Sequence, residues 1–254
     1  MKKIAIAVSA LLMGSMSASA ADLAARPYTK APAAVVAAYD WSGFYVGLHA
    51  GYVSSDPRFD FATIGHYNNA PGDRFGFGVN GFMGGGHAGY NWQASNFVFG
   101  LEGSISYTDL NRTVISPFFP ATDTFRTKQE WIATVTPRVG VTSGPVLFYV
   151  KGGVAFTELR TRIQDTADFN ARNDSKTGWT VGGGIEWMAA SNWIVGVEGN
   201  YYDFGRCCGG LTESRSLATG APFGVFSNHS TRFDDWSVLG RVSYKFGNSV
   251  VAKY

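Results

Sequence analysis

Charge is scarce in this chain. Only 16% of its 254 residues are Asp, Glu, Lys or Arg, against about a quarter in an ordinary soluble domain. The charges also nearly cancel, with 21 bases and 19 acids. Lys2 and Lys3 lie in a segment expected to be removed, so 21 − 2 leaves 19 bases against the same 19 acids. A neutral mature chain gives nucleic-acid binding no electrostatic support. Long apolar runs are missing as well. The run at 4–13 is about half of the ~20 residues a spanning helix needs, and no later window does better. What the chain has in quantity is aromatics, 15%, and 32 glycines, far too much ring surface for a disordered chain.

The first twenty residues read as an export signal. A basic start and a short apolar run lead to the small residues Ala18, Ser19 and Ala20, the A-x-A pattern of a cleavage site. The expected organisation is a signal peptide at 1–20, an Ala/Pro-rich periplasmic lead-in at 21–40, and one β domain at 41–254. An exported protein without a helical anchor is either soluble or crosses a membrane as a barrel.

Eight segments after residue 40 alternate apolar with small or polar residues, the period of a strand. They are 41–53, 81–93, 97–107, 130–141, 146–157, 178–188, 193–202 and 236–246. Each is long enough to cross a bilayer as a tilted strand, for which about 9–11 residues suffice. The apolar parity carries no charge. Aromatics mark both of its ends: Tyr52, Phe82, Tyr107, Trp131, Phe156, Trp179, Tyr201 and Trp236 at one, Phe44, Trp92, Phe97, Phe148, Trp187, Trp193 and Phe246 at the other. Core packing would favour rings at mid-strand, whereas two membrane interfaces select this arrangement. Connections at 94–96, 142–145 and 189–192 are short; those at 54–80, 108–129, 158–177 and 203–235 are long and polar. Short periplasmic turns alternating with long external loops give the orientation. The predicted fold is an all-β, eight-stranded antiparallel transmembrane barrel in the cell outer membrane.

The opposite parity points into a lumen that eight strands leave just wide enough for side chains. It carries Glu102, Arg138, Lys151, Glu186, Glu198 and Arg241, three acids and three bases at similar depth, read here as a structural ion-pair plug. Glu102–Arg138 and Glu198–Arg241 are the expected strongest pairs, with Lys151 beside Glu186. Inward glycines make room for these chains, and a small inward change such as Gly47→Ser is expected to be mild. The competing reading of the same charges is a narrow ion path.

Catalytic and ligand signals are thin. His49 and His87 point inward, His87 opposite Glu102 or Ser104, but no G-x-S-x-G accompanies that set; no catalytic residue, cofactor or metal is assigned. His66, Tyr67 and His229 lie in long loops, solvated, and are the better hemin candidates. Cys207 and Cys208 are adjacent in an oxidising compartment; a strained disulfide between them, pairing between chains and a labile redox pair all stay open.

The segments GFYVGLHAGY (43–52), GGGHAGYNWQ (84–93), FGLEGSISY (99–107), YVKGGVAFT (149–157), GWTVGGGIEW (178–187) and the closing VSYKFG and VVAKY resemble a known family. It is that of the small outer-membrane β-barrel surface antigens and hemin-binding-like proteins of alphaproteobacteria, often called porin-like; the lead-in ADLAARPYTKAP is similar too. The resemblance implies an eight-stranded OmpA-type barrel and a non-enzymatic role in envelope integrity and surface interaction. A small pore or hemin receptor is the alternative, and an outer-membrane lipid-modifying enzyme the third. The implied partners are outer-membrane lipid, lipopolysaccharide and the barrel-assembly machinery, then peptidoglycan or a host surface. Either Phe246 or Tyr254 serves as the assembly signal.

Overall fold

The computed structural model describes residues 37–62, 70–247 and 250–252. The predicted signal peptide, most of the lead-in, and Tyr254 fall outside them. Twelve strands are present among the described residues: β1 (Ala37–Tyr39), β2 (Gly43–Ser55), β3 (Arg58–Phe61), β4 (Arg74–Gly76), β5 (Val79–Ala94), β6 (Phe97–Ile115), β7 (Thr124–Ser143), β8 (Val146–Gln164), β9 (Asp168–Met188), β10 (Trp193–Ser216), β11 (Pro222–Lys245) and β12 (Val250–Ala252).

Eight of them close a ring. The order β10-β9-β8-β7-β6-β5-β2-β11 returns to β10 through a long antiparallel ladder from Trp193↔Tyr244 to Arg215↔Pro222. Closure removes both sheet edges, so every central strand has two hydrogen-bonded neighbours. β3 pairs with the part of β11 beyond the end of β2, and β4 pairs with β3. At the other end the connections are tight. Two residues, Ser95 and Asn96, join β5 to β6; Gly144 and Pro145 join β7 to β8, where Gly144 supplies a left-handed φ of 58°. The chain ends its barrel pairing at Phe246, whose N–H donates to the Phe44 carbonyl (2.8 Å). β12 then pairs with β1 at Ala37↔Ala252.

Strand β8 shows how sequence becomes layers. Its buried residues are Leu147, Tyr149, Lys151, Ala155, Leu159 and Ile163, with Thr157 and Thr161 between; its exposed ones are Phe148, Val150, Val154 and Phe156, followed by Arg160. Up to Phe156 the outward face is apolar and the inward face holds Lys151 among Leu147, Tyr149 and Ala155. Beyond it the outward face becomes charged, while Leu159 and Ile163 alternate inward with Thr157 and Thr161. The girdle rings point outward as predicted: Tyr52, Phe82, Tyr107, Trp179 and Trp236 are exposed at one level, Phe44, Trp92, Phe97, Phe148, Trp187, Trp193 and Phe246 at the other. Phe148 and Phe156 stand eight residues apart, about 26 Å along the strand.

The long external loops expected at 108–129, 158–177 and 203–235 are mostly strand. β6 runs on to Ile115, β8 to Gln164 and β10 to Ser216. Alternation persists there, but with apolar residues inside, so a search for an apolar outer face reads these stretches as loop. The inward residues fill the extension: Phe59, Phe61, Phe125 and Ile163 form one buried cluster, with Phe75, Phe77, Val114 and Phe118 against it.

Candidate functional site

The lumen is filled in layers. At the end with the short turns Trp41, Val98, Leu147, Tyr149, Met188 and Ile194 form an apolar plug. Trp41 is fully buried, and its backbone N–H donates to Gln93 Oε1 (2.7 Å). Its odd position in the alternation already marked it as inward, but the sequence reading assigned it no role. Above the ions lies a second apolar layer that includes Val53, Met83, Ile132, Leu159, Tyr202, Phe233, Leu239 and both cysteines.

Between these layers the structure brings together all six charged residues singled out above, each buried. Arg138 makes a two-point contact with Glu186 on the next strand but one, Nη2–Oε2 2.7 Å and Nη1–Oε1 3.4 Å. Its contact with Glu102 is longer, 3.4 Å, and is bridged by Tyr45: Arg138 Nη1 donates to Tyr45 Oη (3.1 Å), which donates to Glu102 Oε2 (2.8 Å). Lys151 reaches Glu102 (3.0 Å) and Glu198 (2.7 Å). Arg241 pairs with Glu102 and Glu198, and its Nε lies 3.6 Å from Glu186. Tyr149 donates to Glu198 (2.5 Å), Asn200 Nδ2 does so too (2.9 Å), and the Tyr149 ring lies 3.9 Å beneath the Arg138 guanidinium.

Two pairings differ from expectation. Arg138 takes Glu186 rather than Glu102 as its tight partner, and Lys151 pairs with Glu102 and Glu198 rather than Glu186. Strand register sets which residues are neighbours, but in so narrow a lumen a long side chain reaches past the adjacent strand to the one beyond it. Tyr45 and Tyr149 belong to the layer and went unnoticed because the sequence reading counted aromatics only on the outer parity. Their inward parity was the available signal. Both need a glycine opposite: a Cβ at Gly89 would run into the Tyr45 ring, and one at Gly184 into Tyr149. The same reasoning corrects the expectation for Gly47→Ser, because a Cβ there meets the His87 ring and the Val242 carbonyl.

His49 and His87 are buried beside the layer, ring nitrogens Nδ1 3.2 Å apart. His49 Nε2 lies 2.7 Å from Ser106 Oγ, and His87 Nε2 2.7 Å from Ser243 Oγ. Ser104 bonds Thr134 instead, so the Ser–His–Glu set is not assembled. The cavity among these residues amounts to about 10 Å³, room for a single water at most.

The remaining candidates lie apart. His66 and Tyr67 are outside the described residues. His229, expected to be solvated, is 2% exposed and packs against the rings of Phe59 and Phe61; burial, and then the charge of Arg172, lower its pKa to about 4. Cys207 and Cys208 are joined to each other as a disulfide and buried in the upper apolar layer. On the outer surface of the extension, the Lys128 and Arg160 hydrogen bonds hold the Glu130 and Glu158 carboxyls, respectively, below their ordinary range.

Residues 6–246 match the family model described as outer membrane protein beta-barrel domain. The 31 kDa outer-membrane immunogenic protein of Brucella melitensis biotype 1 is 30% identical over 211 residues, 80% of this chain and 88% of that protein. The 22 kDa outer membrane protein of Rhizobium leguminosarum bv. viciae is 30% identical over 176 residues, 68% of each. Among solved structures, the outer membrane protease OmpT of Escherichia coli aligns with a TM-score of 0.47 at 10% identity, covering 82% of this chain and 98% of that one.

Proposed function

Because the chain belongs to the outer membrane protein beta-barrel domain family and resides in the outer membrane, we propose that it is a closed, non-enzymatic barrel that reinforces the envelope and presents a rigid surface extension. One observation carries this reading: a single layer of the lumen holds three acids and three bases, all paired and buried, around a cavity of about 10 Å³. Breaking one partner of such a set leaves a buried charge exposed to a low dielectric, typically costing about 3–5 kcal/mol. A lumen so filled is a structural element and offers solute no path. It also leaves no room for hemin between His49 and His87.

The non-enzymatic part is supported by the relatives, which are named as outer-membrane immunogenic proteins. Immunogenicity in those proteins agrees with a part that stands clear of the lipid, as β6–β11 do here. Surface interaction, with a host surface or with peptidoglycan on the periplasmic side, remains part of this proposal, as does recognition by the assembly machinery at Phe246, where barrel pairing ends.

Deleting the protein is expected to sensitise cells to detergents and bulky antibiotics, and the full chain to restore resistance. A deletion that leaves both sensitivities unchanged contradicts the envelope role.

A further inference from the structure

Above the outer girdle, the outward faces of β7 and β8 carry Arg126, Lys128, Glu130, Glu158, Arg160 and Arg162, four cations against two carboxylates. Register places like charges directly opposite each other, Arg126↔Arg162 and Lys128↔Arg160. Such pairs destabilise a ladder unless something neutralises them. The carboxylates serve only the lower pair: Lys128–Glu130 is 2.7 Å, Arg160–Glu130 2.8 Å and Arg160–Glu158 2.7 Å. Arg126 and Arg162 pair with no carboxylate among the described residues. Arg126 donates to Asn111 Oδ1 (3.1 Å), and Arg162 lies over the Phe169 ring at 4.2 Å with its Nε unbonded. Small neighbours, Ala171 and Asn173, leave a groove of about 360 Å³ between these cations.

The opposite side of the extension shows that this excess is local. There Arg58, Arg74, Arg206 and Arg232 line a groove of about 470 Å³ with Asp56 and Asp60. Every one of those arginines is in an ion pair: Arg58–Asp234 3.1 Å, Arg74–Asp60 3.1 Å, Arg206–Asp60 3.3 Å and Arg232–Asp203 2.9 Å.

Position identifies the occupant. Phe156 marks the outer headgroup level on β8, and Arg160 and Arg162 follow it on the same face by four and six residues, about 13 and 20 Å along the strand. Strand tilt shortens both heights. A surface facing sideways at that level meets the polar layer of the surrounding leaflet rather than a partner in solution. We propose that β7 and β8 form a phosphate-binding site for the phosphorylated glycolipid of the outer leaflet, with Arg126 and Arg162 as its principal cations and Lys128 and Arg160 at its lower rim. The inference rests on the outer-membrane placement and is independent of whether the lumen is closed.

The test is a titration of the folded full chain in detergent with lipopolysaccharide, with the same material dephosphorylated, and with inorganic pyrophosphate. Wild type is expected to prefer the phosphorylated lipid about tenfold or more, and R126Q/R162Q to lose that preference. R126K/R162K, which keeps both charges, should bind better than R126Q/R162Q, and R206Q on the balanced side should bind as wild type. Far-UV circular dichroism verifies folding of each variant. Undiminished binding by R126Q/R162Q, equal loss in the lysine variant, or equal affinity for dephosphorylated lipid would overturn the proposal. So would displacement by pyrophosphate at lipid-equivalent concentration, which would assign the groove to free phosphates.

Discussion

At the scale of single residues, the lumen is held by pairings that reach past the adjacent strand. Arg138 and Glu186 form the most complete of these, two contacts between buried groups. Arg138→Ala or Glu186→Ala alone should destabilise the barrel by about 3–5 kcal/mol, since each strands the other's charge. The double change should cost clearly less than the sum. Urea unfolding in lipid vesicles around a double-mutant cycle measures the difference, and additivity would mean that the contact carries no coupling. His229 gives a pH signature in the extension. Buried and neutral in the fold, with a pKa near 4, it takes a proton readily once released, near the ordinary 6.5. Between those values the unfolded form binds more protons, so its contribution is complete above pH 6.5 and declines as pH falls to 4. The loss should reach about 3 kcal/mol. His229→Gln should flatten that part of the stability profile relative to wild type; identical profiles would show that His229 binds protons in the fold as it does in the unfolded chain.

At the scale of the strand, the governing fact is one alternation with two polarities. On β8 the outward Val150 and Val154 face the lipid tails, whereas Arg160 is exposed above the outer girdle, at the level of the polar layer. Val150→Arg is expected to cost about 2–4 kcal/mol if it lies near the bilayer midplane. The rule reverses higher on the strand: Arg160→Leu should be nearly neutral, and Leu159→Arg, which drives a charge into the buried upper layer, should prevent stable folding. Folding yields of the three variants in lipid vesicles check this ordering, and a neutral Leu159→Arg would refute the inward assignment. The same reversal explains what could be read from sequence. The eight spanning segments, the two girdles and the six inward ions were legible because lipid makes the parity of apolar residues unmistakable. The extensions of β6 to β11 were not: Leu159 and Ile163 turn inward on the parity that holds Lys151 lower down, and an irregularity between Gln129 and Ile132 switches the parity of β7 so that Phe125 points inward. Partner choice inside the lumen was not legible either, since Arg138 reaches past its neighbouring strand to Glu186.

At the scale of the whole molecule, the barrel is a stack: apolar plug, ion layer, apolar layer with the Cys207–Cys208 disulfide, and aromatic cluster at the top. Each layer excludes water from the next, and the low dielectric that results is what makes the ion pairs mutually dependent. Closure is therefore a property of the stack rather than of any one side chain, and it is the central claim. Single-channel recording of the purified full chain in planar bilayers tests it most directly. Wild type should show no discrete conductance steps, and the Arg138→Ala/Glu186→Ala variant should stay closed as well, because the apolar layers on either side remain. Regular, reproducible steps from the wild-type protein would contradict the account and make the buried charges the lining of a pore.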